Sequence, residues 1–409
     1  MCSKYSRPEI SDRPTLLVLA STYPRWADDP EPGFVHALAQ RLVSRFRVVV
    51  VCPHAPGAAR HERLDGVEVV RYRYAPCALQ TLVQGGGIVA NLRRAPWKFV
   101  LLPGFIIGQL WTAWRLVRRE RVTLIHAHWL IPQGLVAALV SQLCGVPYVA
   151  TAHGADVHAL RTPRLRRYVA RHAAMLTVVS TALEAQLRAE DLGNTRMAVL
   201  PMGVDCAQRF TPAAQGARSA QELLFVGRLV EKKGLDHLLC ALPTVRAQYP
   251  ALRLHVIGVG PMEAALRAQT ARLGLSDAVV FHGALPQAAL PQWYRRAALF
   301  VAPFVRAASG DEDGLGLVLI EAIACECPVL VGDVPAVADV LGPDRGVWVV
   351  DPRQTAHFAE RILARLADPK TEAERARALR ARIAARFHWD AVADAYAQVF
   401  ESCLRTVHS

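Results

Sequence analysis

Nothing in the sequence supports a disulfide framework. Its nine cysteines are an odd number and are scattered from Cys2 to Cys403, which suits a reducing compartment. An apolar run of the kind that begins a secretory signal is also missing, because the first residues, MCSKYSRPEISDRP, carry charges and prolines instead. Both absences predict a cytoplasmic protein.

Several motifs that would identify other classes of protein are missing too. The sequence has no P-loop and no complete GxGxxG, which argues against a kinase or a dehydrogenase. It has no helix-turn-helix, zinc-finger or aromatic RNA-binding pattern, so no nucleic-acid partner is expected. Four histidines, His126, His128, His153 and His158, raise the alternative of a zinc hydrolase. They lack HExxH or paired CxxC spacing, and we therefore expect no metal.

Length and composition favour two folded domains. A chain of 409 residues exceeds the usual size of one hydrophobic core and fits two domains of about 200 residues. Hydrophobic residues make up 52% and charged residues 20%, as in globular proteins. The net charge of +13 lies mainly in residues 1–205, which hold 25 Lys and Arg against 14 Asp and Glu. This half is expected to face an anionic membrane surface or a phosphorylated substrate.

Short apolar, β-branched runs alternate with segments long enough for helices, as a parallel sheet with crossover helices requires. Two series of runs predict two doubly wound α/β domains. The boundary is expected near Leu200–Pro212, which has two prolines and a glycine and no apolar periodicity, so we assign residues 1–205 to the first domain and 206–387 to the second. The predicted strands are Thr15–Ala20, Arg47–Cys52, Val67–Tyr72, Val122–Ala127, Tyr148–Thr151, Leu176–Ser180, Leu223–Val226, Arg253–Ile257, Val279–Phe281, Leu299–Ala302, Pro328–Val331 and Val347–Val350.

Ligands of open α/β sheets bind beyond the carboxyl ends of the strands, and the residues that follow the predicted strands are polar. Gly33 lies in the loop after the first run, immediately before a predicted helix Val35–Val43. A glycine there lets backbone approach a phosphate, although an ordinary tight turn explains it as well. The segment His126–Trp129 (HAHW) follows the fourth run and His153–Asp156 (HGAD) follows the fifth.

These segments and others in the same order resemble the retaining glycosyltransferases of family four, which have the GT-B fold. The others are PMGVD, VGRLVEKKG, VIGVGP, DGLGLVLIEAIA and a terminal RFHWD. The resemblance covers nearly the whole chain and implies two Rossmann-like domains facing across a cleft, with a C-terminal helix at residues 388–409 packing back on the first domain. It implies transfer of a hexose-type sugar from a nucleotide-diphosphate sugar, as in bacterial exopolysaccharide or lipopolysaccharide synthesis, without a cofactor or metal.

The resemblance assigns donor-binding residues in the second domain. Arg228 and Lys233 match the cations that clamp the diphosphate, where departure of the leaving group needs fixed positive charge. A solvated basic turn is the alternative. Gly260, together with Gly258, matches a nucleotide-facing loop, although a turn that enters a helix explains both glycines. Gly33 is added to this donor set from the first domain.

The segment between Asp313 and Glu321 is the most informative. The family usually has Glu at both ends, the first for hydroxyls of the donor sugar and the second for the ribose. Asp313 replaces the first Glu, which makes Glu312 a candidate substitute, whereas Glu321 matches the second; capping or pairing within the fold is the alternative for Glu321. The loop between them leads into a helix whose backbone amides would bind phosphate. The residues of this loop therefore join the predicted donor-binding set: Gly314, Leu315, Gly316 and Leu317.

The resemblance places the reacting centre at HGAD. His153 matches the residue that contacts the donor sugar, and Asp156 is expected to orient this histidine or to bind acceptor, with a helix N-cap as the alternative. We assign His153, Asp156 and Asp313 as catalytic and His128 to the acceptor side. No evident carboxylate pair flanks the site as double displacement would require. Retention is expected to follow a front-face path, in which the leaving phosphate accepts the acceptor's proton.

An apolar stretch of the first domain, Phe99–Leu116, resembles a membrane contact. Basic residues flank it: Arg93, Arg94, Lys98 and Arg115–Arg121. Pro103, Gly104 and Gln109 lie inside it, so insertion across a bilayer is not expected. An interfacial helix would suit a lipid-linked or oligosaccharide acceptor and an anionic inner-leaflet surface. A core helix with an arginine-rich solvent face is the alternative. We expect a cytoplasmic protein, peripheral on the inner face of the cell membrane.

Two other functions fit the same architecture. Sugar-nucleotide epimerases share it, but HGAD and PMGVD favour transfer. A carbohydrate-binding scaffold with a degenerate site would follow if Asp313 disables the chemistry, whereas intact Arg228, Lys233 and Glu321 argue against this. Glu326 stands where the family tends to have Gly, and we expect only a local change of the loop there.

Overall fold

The computed structural model of the chain describes residues 13–26, 29, 33–83, 87–158, 162–213 and 218–407. Within this part, the chain forms two α/β domains, each around its own sheet, and two long helices at the C-terminal end. The predicted fold class, two doubly wound Rossmann-like domains, is confirmed.

The first domain is built on a sheet whose central strands are apolar along their whole length. β1 and β2 are buried almost throughout, because helices cover both faces of a parallel sheet. The strands are β1 (Thr15–Leu19), β2 (Arg47–Pro53), β3 (His61–Leu64), β4 (Val67–Tyr72), β5 (Val122–His128), β6 (Tyr148–Ala152), β7 (Met175–Val178) and β8 (Met197–Val199). In the described residues their order is β3-β4-β2-β1-β5-β6-β7-β8, and only the β3–β4 pair is antiparallel.

Helices of the first domain pack on both faces of this sheet. The α-helices are α1 (Phe34–Leu42), α2 (Gly87–Arg94), α3 (Leu101–Arg119), α4 (Leu135–Cys144), α5 (Ala155–His158), α6 (Pro163–His172) and α7 (Thr181–Ala189). Helix α1 begins one residue before its predicted start and ends one residue before its predicted end.

The second domain repeats the plan with a sheet in the order β11-β10-β9-β12-β13-β14 among the described residues. Its strands are β9 (Glu222–Val226), β10 (Arg253–Ile257), β11 (Val279–Gly283), β12 (Leu299–Ala302), β13 (Val329–Gly332) and β14 (Val349–Val350). Its α-helices are α8 (Leu235–Gln248), α9 (Glu263–Arg272), α10 (Leu290–Arg296), α11 (Leu317–Ala324), α12 (Ala338–Leu341) and α13 (Thr355–Ala367).

All twelve predicted strands coincide with observed strands to within two residues at either end. Two observed strands were not predicted. β3 has the sequence HERL and lies at a sheet edge with alternate side chains exposed, so it lacks an apolar run. β8 has three half-buried residues at the opposite edge, too few to give a pattern.

The C-terminal helices α14 (Pro369–Phe387) and α15 (Trp389–Val407) carry the chain back from the second domain to the first. α15 packs against α1 and against the turn that follows α1. In that turn the Phe46 ring lies 6.1 Å from the Phe400 ring, and Arg45 forms an ion pair of 2.7 Å with Asp394. At the crossing point the Val204 amide donates to the Phe387 carbonyl at 2.8 Å. The two connections between the domains therefore lie side by side.

Helix α3 and the 3₁₀ turn Pro96–Val100 before it have one buried and one exposed face. The buried face repeats about once per turn, and Gly104 lets it approach the segment that follows β4, because a Cβ there would lie 2.4 Å from the Tyr74 carbonyl oxygen. By length and composition alone, the 24 residues Pro96–Arg119 are the one segment of the described chain that could span a membrane. Within it, 28% of an apolar stretch of 18 residues is buried. The buried residues of α3 are Leu101, Phe105, Gln109, Ala113 and Val117.

Candidate functional site

The loops that follow the strands of both domains meet at the carboxyl edges of the two sheets. One close approach joins the HGAD turn after β6 to the glycine-rich loop before α11. A Cβ on Gly154 would lie 3.1 Å from the Gly314 Cα, and a Cβ on Gly314 would lie 2.4 Å from the His153 carbonyl oxygen. The structure thus brings the predicted residues His153 and Gly314 together, and glycine is required because the two backbones touch.

His153 lies among aromatic rings on the first-domain side of this contact. Its Nε2 is 3.0 Å from Nδ1 of His128, and the two rings stack with centroids 5.2 Å apart. The rings of Phe34 and Trp129 lie 5.2 and 5.0 Å from it. Burial lowers the pKa of His153 to about 3, so the imidazole is neutral at physiological pH.

Asp156 is buried under the same turn, and its carboxylate accepts hydrogen bonds from three backbone amides. Oδ2 accepts from the Leu130 amide at 2.7 Å, and Oδ1 accepts from the amides of His153 and Gly154 at 3.1 Å each. Burial raises the pKa of Asp156, and these hydrogen bonds work against the rise. The contacts make Asp156 a residue that positions the HGAD turn and the loop after β5. Its assignment as catalytic stays a prediction.

On the second-domain side, Asp313 lies between two lysines that follow β9. Lys233 Nζ donates to Asp313 Oδ2 at 2.5 Å, and Lys232 Nζ lies 3.7 Å from Oδ1. Burial alone would raise the pKa of Asp313, but Lys233, Lys232 and Arg228 together lower it below its usual value. The carboxylate is therefore ionised and held at the cleft, and Phe304 lies under the Lys233 ammonium at 4.6 Å.

Arg228 is exposed in the loop after β9, where it contributes to the field at Asp313. Close packing explains why glycine stands at positions 258 and 260, in the neighbouring loop. Gly258 has φ +135°, and a Cβ on it would lie 1.9 Å from the Gly227 carbonyl oxygen; a Cβ on Gly260 would lie 2.3 Å from that of Leu229. Close contact between two loop backbones explains both residues, and a nucleotide contact for Gly260 stays a prediction.

Glu321 is buried in α11 with both carboxylate oxygens occupied. Gln287 Nε2 donates to Oε1 at 3.0 Å, and the Tyr294 hydroxyl donates to Oε2 at 3.0 Å. Burial raises the pKa of Glu321 to about 7, although the two hydrogen bonds lower it. The protein therefore holds this carboxyl close to the cleft in a state that changes charge near neutral pH.

The N-terminus of α11 opens toward the same place. Gly316 precedes the helix with φ +77°, a left-handed conformation that glycine adopts without steric cost. Leu315 is buried and anchors the loop, while Leu317 is the first helical residue. The amides at the N-terminus of a helix would favour an anion there.

The surroundings of Gly33 do not explain why a glycine stands there. It precedes α1 with φ −87°, and a Cβ would come no closer than 3.9 Å, to Pro24, so neither conformation nor space demands glycine. Its neighbour Phe34 contacts the His153 ring, which puts the start of α1 beside the cleft. Donor binding by Gly33 stays a prediction.

Several residues of the site were not predicted. Lys232 stands beside the predicted Lys233, and the doublet in GRLVEKKG was the signal for it. Gln287 and Tyr294 reach Glu321 over 34 and 27 residues of sequence, a separation that no local pattern encodes. Phe34 lies one residue before the predicted helix Val35–Val43, and no role was predicted for it.

The histidines do not form a metal site in the described part of the chain, where no group of three or more His, Cys, Asp or Glu side chains is arranged to hold an ion. His126 bonds to Thr151 at 2.7 Å, and His158 turns toward Glu312, 4.0 Å away in the other domain. The alternative of a zinc hydrolase gains no support from these contacts.

Comparisons with known proteins agree with this architecture. The family model "Glycosyltransferase Family 4" matches residues 34–208, and "Glycosyl transferases group 1" matches residues 211–382. A glycogen synthase of Mycobacterium tuberculosis is 28% identical over 91% of this chain and 90% of its own, and the putative colanic acid biosynthesis glycosyltransferase WcaL of Escherichia coli is 30% identical over 57% and 59%.

Among solved structures, Anabaena HepE in complex with UDP and glucose has a TM-score of 0.71, with 18% identity over 95% of this chain and all of that one. This structural similarity shows that the chain has the GT-B fold. Together the two family models span both domains, and the arrangement of strands, the motifs and the relatives all agree: this chain belongs to the family 4 glycosyltransferases and is a nucleotide-sugar-dependent glycosyltransferase.

Proposed function

We propose that this enzyme transfers a hexose-type sugar, with retention, from a nucleotide-diphosphate sugar to a lipid-linked glycan in the synthesis of a cell-surface polysaccharide. The observation that carries the donor part is the set of charged groups around one cleft. Arg228 and Lys233 both act electrostatically on Asp313, the neighbour of Gly314, and Lys233 acts on the buried Glu321 as well. HepE has been solved with UDP and glucose, and WcaL is named for colanic acid synthesis, which supports the donor and product classes.

In this proposal the cations stabilise the leaving diphosphate. Cleavage of the glycosidic bond leaves negative charge on the nucleotide diphosphate, and fixed cations in a cleft stabilise that charge as it develops. Lys233 now pairs with Asp313 at 2.5 Å, so its ammonium is already held in position. The amides at the start of α11 would add a second source of positive potential.

The two carboxylates would hold the donor's hydroxyls. Glu321 would accept from the ribose, because its hydrogen bonds from Gln287 and Tyr294 fix the carboxyl in one orientation. Asp313 would accept from the transferred sugar. Its side chain is one methylene shorter than the usual glutamate, and its carboxylate is paired with Lys232 and Lys233.

The exposed face of α3 supports a membrane-bound acceptor. Large apolar side chains, each more than half exposed, lie on this face and on the turn before it: Trp97, Phe99, Val100, Ile107 and Trp111. On α3, positions 107, 111, 115 and 118 fall three or four residues apart and so form one stripe. A contiguous exposed apolar stripe of this kind is typical of a surface that contacts another protein or a membrane.

The distribution of charge favours an anionic bilayer as the partner of this face. Residues 69–119 contain no Asp or Glu, and the helix ends carry exposed arginines that form no ion pair with the described residues. Such residues bind anionic lipid headgroups with about 1 kcal/mol each. We therefore propose a cytoplasmic enzyme, peripheral on the inner face of the membrane, with its acceptor presented by the same surface. The arginines are Arg93, Arg94, Arg115, Arg118 and Arg119.

Calorimetric titration with a panel of nucleotide diphosphates and their sugars tests the donor site. We expect one nucleotide to bind to the wild type, and Glu321→Ala to weaken it at least tenfold, since a hydrogen bond to a charged group is worth roughly 1.5–3 kcal/mol. Glu326→Ala, an exchange of the same kind in the loop after α11, is the matched control and should bind normally. Absence of binding to every nucleotide would overturn the proposal.

Vesicle sedimentation tests the membrane surface separately. The protein should pellet with vesicles that contain phosphatidylglycerol and remain in solution with pure phosphatidylcholine. Ile107→Ser with Trp111→Ser should abolish pelleting, while Leu143→Ser, at another exposed apolar residue of the first domain, should not. Equal pelleting of all variants, or a concentration-dependent dimer that Ile107→Ser dissociates, would contradict a membrane role for this face.

A further inference from the structure

Three histidines of the first domain are packed in a column that ends at the cleft. The rings of His126 and His128 lie 4.2 Å apart, and those of His128 and His153 lie 5.2 Å apart. Only the last pair is hydrogen-bonded, through His128 Nδ1 and His153 Nε2 at 3.0 Å. A single proton lies between these two nitrogens. Its position decides whether Nδ1 of His153 donates a hydrogen bond to a ligand or accepts one.

The other nitrogen of His128 fixes this choice. Nε2 of His128 is buried and has no hydrogen-bond partner in the described part of the chain. If His128 accepted the bond from His153, its own proton would have to lie on Nε2, as an unpaired N–H in the interior. Buried N–H groups without a partner are rare and costly, so the proton of His128 belongs on Nδ1, from which it donates to His153.

We propose that His128 is a positioning residue that holds His153 as the neutral tautomer protonated on Nδ1, so that His153 meets the donor as an N–H hydrogen-bond donor and does not act as a base. This rests on the proposed donor site, because it takes the oxygen that accepts from Nδ1 to belong to the sugar or the phosphate of the bound nucleotide sugar.

Burial supports the neutral state of the whole column. It lowers the pKa of His153 to about 3 and that of His128 well below its ordinary value. The rings of Phe34 and Trp129 pack beside His153 and would resist a flip that exchanged its two nitrogens. A fixed neutral donor of this kind stabilises charge on oxygen without a proton transfer.

Nitrogen-15 NMR of histidine-labelled protein, without any donor, reports the tautomer directly. In the wild type we expect the His153 signals of the Nδ1-protonated form. His128→Phe removes the hydrogen bond while keeping a ring and should give a mixture of tautomers. His128→Asn places an amide N–H near the position of Nδ1 and should restore the wild-type signals. An Nε2-protonated His153 in the wild type, or no change in His128→Phe, would overturn the proposal.

Turnover gives a second readout once a donor is known. His128→Phe should lower kcat roughly tenfold, the value of one hydrogen bond, and His128→Asn should recover most of it. His282→Phe is the matched control, because it removes one histidine of another hydrogen-bonded pair, His255 and His282 at 2.9 Å, in the second domain. A wild-type kcat that rises with pH in step with a histidine would show a base instead. Failure to find any donor would defeat the proposed function and leave the NMR result to judge this inference.

Discussion

Thr181 and Asp339 join the two domains at the rim of the cleft. The Asp339 carboxylate accepts from the Thr181 amide at 2.7 Å and from its hydroxyl at 3.0 Å. Thr181 is the first residue of α7, so the carboxylate of one domain lies at the helix N-terminus of the other, where negative charge is favoured. Arg386 of α14 donates to the Asp339 carbonyl at 2.9 Å. The contact therefore ties both domains to the returning C-terminal segment.

Removing this contact should favour a more open molecule. Asp339→Ala deletes hydrogen bonds worth about 1 to 2 kcal/mol, and we expect a larger radius of gyration in small-angle scattering and a donor Kd that rises about tenfold. Asp333→Ala, which removes an exposed carboxylate that lies 3.4 Å from Arg345 in the same domain, is the control. Identical scattering curves for the two variants would refute a role for Asp339 in closure.

Gly314→Ala should separate the two loops at the cleft. A Cβ there would lie 2.4 Å from the His153 carbonyl oxygen, so the loops must move apart. Displacement of reacting groups by about 1 Å costs on the order of a hundredfold in rate, and kcat/KM should fall accordingly with little change in Tm. Gly346→Ala, with no atom within 4 Å of its Cβ, should keep wild-type activity. Full activity of Gly314→Ala would show that this contact is dispensable.

Glu326→Gly should stabilise the protein. Glu326 has φ +53°, and a residue with a side chain pays roughly 1 kcal/mol in this left-handed region; this also explains why glycine is usual at this place in the family. The free energy of unfolding in urea should rise by up to about 1 kcal/mol. Glu326→Ala keeps the backbone strain and should give no gain, so equal stabilisation by both variants would trace the effect to the carboxylate instead.

Glu321 should make stability depend on pH. Its folded pKa is about 7 against an ordinary value of 4.5, so the folded state binds the proton more tightly than the unfolded state. The contribution is fully present below pH 4.5 and is lost as the pH rises through 7. Relative to Glu321→Gln, which stays neutral, the wild type should lose about 2 to 3 kcal/mol of unfolding free energy between pH 4.5 and 8, at about 1.4 kcal/mol per unit. Parallel pH curves for both proteins would contradict this.

The apolar runs predicted the strands because a strand buried on both faces needs apolar side chains along its whole length. β1 and β2 are of this kind. β3 was not predicted as a strand, because its residues carry no apolar pattern and pairing with β4 at an exposed edge holds it in place. Motif positions were predictable for a related reason: loops where backbones touch require glycine, as at Gly154 and Gly314.

The sequence by itself determined two doubly wound domains, their strands and the segments that border the cleft, because these depend on local apolar pattern and on glycine. Only the tertiary structure decided that Asp156 binds backbone amides, that Gln287 and Tyr294 hold Glu321, and that His128 reaches His153. It also gave α3 a buried and an exposed face, since the helix is apolar on both sides and only the elements packed against it distinguish them. Contacts between residues far apart in sequence depend on how elements pack, and no local pattern records that.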